Sequence, residues 1–391
     1  MIHNFDETIN RIGSDSDKWD NEGKGGTLIP LGIADTDYKA PREVLDAVKE
    51  KVDFGVFGYG YFPRDRFTDA IKGWYGHHHK IDIRKDEISY APGLMTGALW
   101  MFLDAYTNPG DKVVIQPPVY ATFKKVIENF NRKAIDNRLI YHKGDGYQID
   151  FEDLEEKLKM PDVKILLVCN PANPIGRLWT IEEMKKMYDL CRVNNVMIIS
   201  DEIHSDMIHK EFSFHSFLEI CEEEDQHVVV MNSPSKTFNL ASFFSAYVII
   251  KNKNMKKAFD DIYAKYHFDY NYLGVEALIT AYNECNYYVD ELNAYLRGNI
   301  DFSIDYIHKY LPKLKVQYPD CSYLLWIDCE ELGLNGTDLA EFFTEAGIRV
   351  NDGGSYGKES GNFVRVNIAC TRSLLERALK QIKLNYDRNG F

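Results

Sequence analysis

Short apolar runs recur along the first two-thirds of the chain, separated by polar, proline-containing or glycine-containing segments. The runs at 112–115, 164–168, 196–200, 228–231 and 247–250 are rich in Val, Ile and Leu. Continuous apolar runs of this length read as strands covered on both faces. Residues 87–90 read as another short extended piece, ended by Ala91-Pro92-Gly93-Leu94. Between the runs, apolar spacing predicts helices over 95–106, 120–129, 151–159 and 181–194. Earlier helices are expected from Pro41, where the missing N–H costs nothing, and over 66–76. Strands alternating with helices predict an α/β fold, a mostly parallel sheet with helices on both sides.

Past residue 253 the pattern turns helical, with a long stretch at 287–310. Strands at 323–328, 347–351 and 363–369, closed by an amphipathic helix at 374–386, predict a smaller α+β unit. The division expected is a segment 1–45 joining the small unit, a large domain 46–288 and a small C-terminal domain 289–391. Residues 55–62, Gly-Val-Phe-Gly-Tyr-Gly-Tyr-Phe, hold too many glycines for a stable helix and read as an ordered loop presenting rings. No internal repeat or low-complexity linker interrupts the chain.

Composition narrows the function classes. The 391 residues are 45% hydrophobic and 27% charged, an ordinary globular profile. A formal net charge of −14 argues against nucleic acid or anionic membrane as partner. No run approaches the roughly 18 apolar residues of a membrane span, and the polar, acidic N-terminus does not read as a secretory signal. Seven cysteines without a C-x-x-C pair point to reduced thiols and a cytoplasmic location. His77-His78-His79 cannot converge from one helix face, so it reads as a polar helix end and no metal is expected.

The chemistry lies just beyond the strands. In open α/β sheets, ligands bind outside the carboxyl ends of strands. After 228–231 comes Ser233-Pro234-Ser235-Lys236-Thr237-Phe238-Asn239. A lysine beside hydroxyls there is a candidate phosphate clamp or Schiff-base nucleophile, the plainer alternative being a surface lysine in a Ser/Thr-rich turn. After 196–200 comes Asp201-Glu202-Ile203-His204-Ser205-Asp206, and after 164–168 Cys169-Asn170-Pro171-Ala172-Asn173-Pro174-Ile175-Gly176-Arg177. Tyr120 comes after 112–115, and Pro92-Gly93-Leu94 opens a helix. This set suits a phosphorylated pyridine aldehyde. A lysine forms its imine and a carboxylate holds a proton on the ring nitrogen. An amide and an imidazole can bond its ring oxygen, and a tyrosine face can stack on the ring. A helix N-terminus and serine hydroxyls take the phosphate. In 363–369, Val364, Val366 and Ile368 face one way while Arg365 and Asn367 face the other, which aims Arg365 away from its own core.

Together these motifs resemble the aspartate-aminotransferase-like (fold type I) pyridoxal-phosphate enzymes, and more narrowly the carbon–sulfur lyases of the cystathionine β-lyase kind. The narrower likeness rests on Lys18-Trp19-Asp20, Ile33-Ala34-Asp35-Thr36-Asp37, Gly55-Val56-Phe57-Gly58-Tyr59, Gly176-Arg177-Leu178-Trp179-Thr180, Asp201 to Asp206, and Arg365-Val366-Asn367-Ile368-Ala369-Cys370. The resemblance implies pyridoxal 5'-phosphate as cofactor, Lys236 as its attachment and catalytic residue, and Asp201 on the pyridine nitrogen. It implies Asn173 and His204 near the ring oxygen, Ile203 and Tyr120 on the two ring faces, and Gly93, Leu94, Ser233 and Ser235 around the phosphate. Tyr59 would reach the phosphate of a second subunit in a homodimer. Arg365, with Asn173 and Ala34 beside it, would bind the amino-acid substrate. The implied reaction is β-elimination of L-cystathionine or another cysteine S-conjugate to a thiol, pyruvate and ammonia. An aminotransferase on the same site, or a non-catalytic regulator retaining the fold, are the rival expectations. Two positions depart from the family pattern. Ile175 stands where Asn-Pro-Thr-Gly loops have threonine, and Phe244 stands where aminotransferases place a phosphate-binding arginine. The Asp352–Gly357 stretch reads as a turn before the Arg365 strand rather than a phosphate loop.

Overall fold

The structure, a computed structural model, describes residues 3–209 and 211–391; Met1 and Ile2 of the expected N-terminal segment lie outside the described residues. Its main sheet has seven strands: β1 (Ile88–Ala91), β2 (Lys112–Ile115), β3 (Lys133–Asp136), β4 (Val163–Cys169), β5 (Met197–Asp201), β6 (Val228–Asn232) and β7 (Ala246–Ile249). Their spatial order is β1-β7-β6-β5-β4-β2-β3. β2 to β6 pair in parallel, and only β7 runs antiparallel to its neighbours β1 and β6.

The apolar runs form strands because both faces are covered. Val114, Leu166, Ile198, Val228 and Val230 enter one hydrophobic core. Val113, Ile165, Leu167, Ile199, Val229 and Met231 enter the other, on the opposite face. Helices pack over each face, and local capping sets their ends. Thr180 and Glu183 form a reciprocal capping box ahead of the helix Ile181–Val193.

A second sheet contains β8 (Lys315–Val316), β9 (Leu324–Asp328), β10 (Asn351–Asp352) and β11 (Phe363–Asn367), in the antiparallel order β8-β9-β11-β10. The helices Asn286–Tyr310 and Arg372–Arg388 share an interior with it through Ile307, Leu325, Val366, Leu375 and Ile382. The strand expected at 347–351 is divided. Ile348–Arg349 pairs in parallel with Ile29–Pro30, and Asn351–Asp352 pairs with β11. The entering chain therefore forms a small separate sheet with Ile348–Arg349, and residues 32–37 run onward as a strap that reaches β11 and the turn after β6. Gly32 and Ala34 carbonyls accept from Arg365 on β11 and from Lys236 beyond β6.

Other differences from the sequence pattern have local causes. β3 lacks a continuous apolar run because it is an edge strand with intermediate exposure. The helix expected at 66–76 spans Arg64–Trp74 and closes through a wide turn Tyr75–His79. There His78 Nε2 is 2.8 Å from Asn286 Oδ1 and His79 Nε2 is 3.2 Å from Asp206 Oδ1, so the histidines separate toward different partners. A hairpin of Ile140–His142 and Gly146–Gln148 and a helix Gly336–Glu345 were not expected from the pattern.

Candidate active site

The carboxyl ends of β4, β5 and β6 open into one cavity of about 750 Å³. It brings together Ala34, Gly93, Leu94, Tyr120, Asn173, Asp201, Ile203, His204, Ser233, Ser235, Lys236 and Arg365. Those residues come from sequence positions more than 300 apart, so the cavity is a product of tertiary folding rather than of any local motif.

Lys236 lies in the turn after β6. Ser233 Oγ pins that turn, donating to the Ser245 carbonyl (2.8 Å) and accepting from the Ser235 N–H (3.2 Å). Asn239 adopts φ +58° and binds the Thr36 carbonyl through Nδ2 (2.9 Å), which ties the turn to the strap. Lys236 Nζ donates to the Ala34 carbonyl at 2.7 Å. Burial pushes its ammonium down to about 8, helped by the positive charge of Arg365 and opposed by Asp35 and Asp201. The lysine is thereby poised near neutrality as a nucleophile or base.

Asp201 is the last residue of β5 and is buried. Its Oδ1 accepts from the Ile203 N–H at 3.2 Å. Burial pushes the carboxyl up to about 7, against the pull of that hydrogen bond and of Lys236. Burial likewise drives His204 down to about 3, with Lys236 and Arg365 acting in the same direction, so its imidazole is neutral. His204 Nδ1 pairs with Ser322 Oγ at 3.2 Å.

Arg365 is only 2% exposed, although a strand with one wet face would leave it in solvent. The alternation read from sequence is real, but both faces of β11 are covered, and the second face meets the cavity. Arg365 Nη1 donates to Asn173 Oδ1 (3.1 Å) and Nη2 to the Gly32 carbonyl (2.8 Å). Its Nε is buried without a hydrogen-bond partner, and its guanidinium lies 5.0 Å from the Tyr356 ring centre. A planar carboxylate is the natural complement to such a fork.

Across the cavity, Gly93 has φ +87° and precedes the helical stretch that begins at Leu94. A Cβ there would approach Thr96 Oγ1 to 3.0 Å and Phe244 Cδ1 to 3.6 Å, so the glycine keeps this corner open. Phe244 lines the cavity and adopts a left-handed φ of +44°. Ile175, the other departure, lines a separate surface cavity beside Tyr147 and Trp326. Tyr59 stands apart from this chain's cavity, fully exposed in the 55–62 loop with Val56, Phe57 and Tyr61.

Several lining residues escaped the sequence reading. Thr96 adds a hydroxyl beside Gly93, and its spacing from Gly93 was the available signal. Tyr356 was hidden in a loop read only as a turn; an aromatic between glycines was its signal. Glu22, Arg349 and Asn351 also line the cavity, and no local motif marks them.

The Aminotransferase class I and II family model matches residues 26–382. The chain belongs to this family. It is 36% identical over 385 residues to cystathionine beta-lyase PatB of Bacillus subtilis, covering 97% of this chain and 99% of that protein. Cystalysin of Treponema denticola, whose structure contains pyridoxal 5'-phosphate, superposes with a TM-score of 0.94 at 31% identity, covering 99% of this chain and all of that one. The pyridoxal-phosphate-bound C–S lyase of Staphylococcus hominis superposes with a TM-score of 0.91 at 27% identity over the full length of both chains.

Pyridoxal 5'-phosphate is the cofactor of this family, and the cavity's donor set fits it. The buried Asp201 calls for a cationic N–H neighbour, Lys236 is a partly deprotonated amine, and neutral hydroxyls surround the glycine-lined corner.

Proposed function

We propose that the protein is a carbon–sulfur lyase catalysing β-elimination of L-cystathionine or another cysteine S-conjugate, with thiol, pyruvate and ammonia as products. The observation that carries this reading is the placement of Lys236 and Asp201 in one cavity with the Arg365–Asn173 pair.

Lys236 would attach the cofactor, with Asp201 holding a proton at the ring nitrogen. Asn173 and His204 would flank the ring oxygen, and Ile203 and Tyr120 its faces. Gly93, Leu94, Ser233 and Ser235 would hold the phosphate. The bound cofactor supplies an electron sink for the charge left when the substrate Cα proton departs. Arg365 takes the substrate carboxylate and fixes Cα near Lys236. The Lys236 amine, its Nζ oriented by the Ala34 carbonyl, would be the base that takes that proton. The Cβ–S bond breaks, and its electron pair leaves with the thiolate, which is then protonated. Water completes the conversion of the remaining fragment to pyruvate and ammonia.

The same reading includes a homodimer in which Tyr59 reaches the neighbouring subunit's phosphate; the exposed rings around it support that. It assigns cofactor binding to residues 46–288 and carboxylate recognition to the unit 289–391, joined by the N-terminal segment 1–45. The seven cysteines are buried and free, in keeping with a cytoplasmic location. None of the helices among the described residues is long and apolar enough to cross a membrane.

Purified holoenzyme incubated with cysteine conjugates and no keto acid tests the reaction. Stoichiometric thiol and pyruvate are expected. Product formation that depends on an added keto acid would instead identify an aminotransferase.

A further inference from the structure

Arg365 holds a buried charge on neutral partners. Its two side-chain hydrogen bonds go to Asn173 Oδ1 and the Gly32 carbonyl. All N–H donors of a guanidinium lie in its plane. Such bonds fix the group within that plane and leave its tilt and its height above the strand unopposed. The face of the guanidinium meets another side chain. Arg365 Cζ lies 5.0 Å from the centre of the Tyr356 ring, within range of a cation–π contact.

Strand register sets up this contact. Arg365 on β11 stands opposite Trp326 on β9 and opposite Asn351 on β10. Directly opposed residues of antiparallel neighbours project from the same face of a sheet. Asn351, Arg365 and Trp326 therefore form one row, and Tyr356 lies across it. Its hydroxyl accepts from Asn351 Nδ2 at 2.9 Å, its ring faces Arg365, and the Trp326 ring meets it at 5.7 Å and 78°. Trp326 is itself held, stacked on Phe363 at 5.1 Å and donating Nε1 to the Tyr147 hydroxyl at 3.0 Å.

The backbone of Tyr356 is pinned as well. Its N–H donates to the Gly353 carbonyl at 2.9 Å, and its carbonyl accepts from the Val119 N–H at 3.1 Å. Val119 precedes Tyr120, so one residue ties the arginine row to the loop that carries Tyr120. A ring suits an arginine that awaits a carboxylate. Its π face stabilises the buried cation. It places no acceptor in the plane of the N–H donors, where a protein carboxylate would compete with the substrate.

We propose that Tyr356 is a positioning residue for substrate recognition. Its ring holds the plane of the Arg365 guanidinium so that the donors left free face the α-carboxylate of the amino-acid substrate. Tyr356 acts through Arg365. This deepens the lyase reading and rests on its assignment of Arg365 to the substrate carboxylate.

The test measures what the carboxylate adds to binding. L-alanine and isopropylamine differ only in a carboxylate that replaces a methyl group. Their Kd values for the loaded enzyme, read from cofactor absorbance, give a ratio in which the shared amine cancels. Arg365→Met should collapse this ratio; a ratio that survives overturns the carboxylate assignment and the role of Tyr356 with it. Tyr356→Leu is expected to lower the ratio at least about fivefold, and Tyr356→Phe, which keeps the ring, to stay within about twofold of wild type. A smaller loss in Tyr356→Leu, or an equal loss in Tyr356→Phe, overturns the proposal. A purely structural role would lower Tm and leave the ratio unchanged. If Tyr356→Leu does not fold, Tyr356→Phe is compared with its 3,4,5-trifluoro form, which has nearly the same shape and a depleted π face. Fluorination should then lower the ratio at least about threefold, and a smaller change refutes the contact. The lyase reading fails separately, if loaded wild-type enzyme releases no pyruvate from cysteine conjugates. Neither amine has a thiol to lose, so their ratio decides Tyr356 in that event too.

Discussion

Asp201 shows how one side chain links fold, stability and chemistry. It ends a strand whose burial fixes it at the cavity floor, and the same burial pushes its carboxyl up to about 7 from an ordinary 3.8. A folded-state pKa above the unfolded one means that the native state holds its proton more tightly. That contribution is complete at low pH and is lost as pH rises from about 4 through 7. In the cofactor-free protein the ionised carboxyl would therefore cost up to roughly 4 kcal/mol above pH 7. Asp201→Asn removes the charge without changing the shape. The cofactor-free variant should be more stable than cofactor-free wild type at pH 8, with the gap closing near pH 5, as read from denaturant midpoints. The holoenzyme variant should retain its cofactor yet lose at least about tenfold in kcat. A stability gap independent of pH would refute the burial argument, and an unchanged kcat would refute the ring-nitrogen role. Residues of this kind were legible in the sequence, because a carboxylate, an amide or a lysine directly after an apolar run has one place to go in a parallel sheet. Glu22 and Asn351 were not legible, since they line one cavity only after segments more than 300 residues apart have packed together.

At the scale of elements, the strap at 32–37 connects the two halves of the site. Its carbonyls are taken in turn by Arg365 at Gly32, by Asn367 at Ile33 and Asp35, by Lys236 and Tyr323 at Ala34, and by Asn239 at Thr36. A buried ionic cluster holds it from behind. Lys18 is wholly enclosed and pairs with Asp37 (3.0 Å) and Asp35 (3.4 Å), while Arg11 reaches the same two carboxylates. Burial works against the Lys18 charge, and Asp37 and Asp35 outweigh it, raising the ammonium above its usual range. Lys18→Met leaves those carboxylates with Arg11 and the Trp19 indole, a loss of roughly 3–5 kcal/mol if the pair behaves as buried pairs do. The expected result is a lower Tm together with a reduced kcat/KM, because the strap seats both Lys236 and Arg365. Full kcat/KM in a destabilised protein would show that the cluster serves folding alone. The sequence revealed Lys18-Trp19-Asp20 and 33–37 as motifs but not their union. The five strands with continuous apolar runs were readable because burial on both faces forces that composition. The Ile29–Pro30 pairing with Ile348–Arg349 left no such mark, because two-residue strands have no period to read.

For the whole molecule, the decisive surface is the one around Tyr59. Leu45, Val52, Phe54, Val56, Phe57, Tyr59 and Tyr61 are all exposed large hydrophobic residues from one helix and the loop after it. Exposed apolar residues gathered in one helix and the loop after it support the homodimer proposed above, with this surface as its interface. A two-fold axis would present the loop of each subunit to the other's cavity, so each dimer would hold two shared sites. The phosphate corner makes that sharing consequential. If the phosphate sits there as proposed, Phe244 lines that corner without a charge, and the corner within one chain offers the hydroxyls of Thr96, Ser233 and Ser235. The Tyr59 hydroxyl should therefore matter more here than in relatives that carry an arginine. Tyr59→Phe is expected to bind cofactor more weakly, as measured by the absorbance of the loaded enzyme during cofactor titration, with no change in Tm of the cofactor-free protein. Lys236→Ala should be inactive because its site lacks the attachment lysine. Refolding Tyr59→Phe with Lys236→Ala subunits, at a cofactor concentration where each alone is silent, gives mixed dimers with one intact site. That site joins Lys236 of one chain to Tyr59 of the other. Random pairing makes half of the dimers mixed, so about a quarter of the wild-type activity should return. No recovery in verified mixed dimers, or full activity in a chain that sediments as a monomer, would place the whole site within a single subunit.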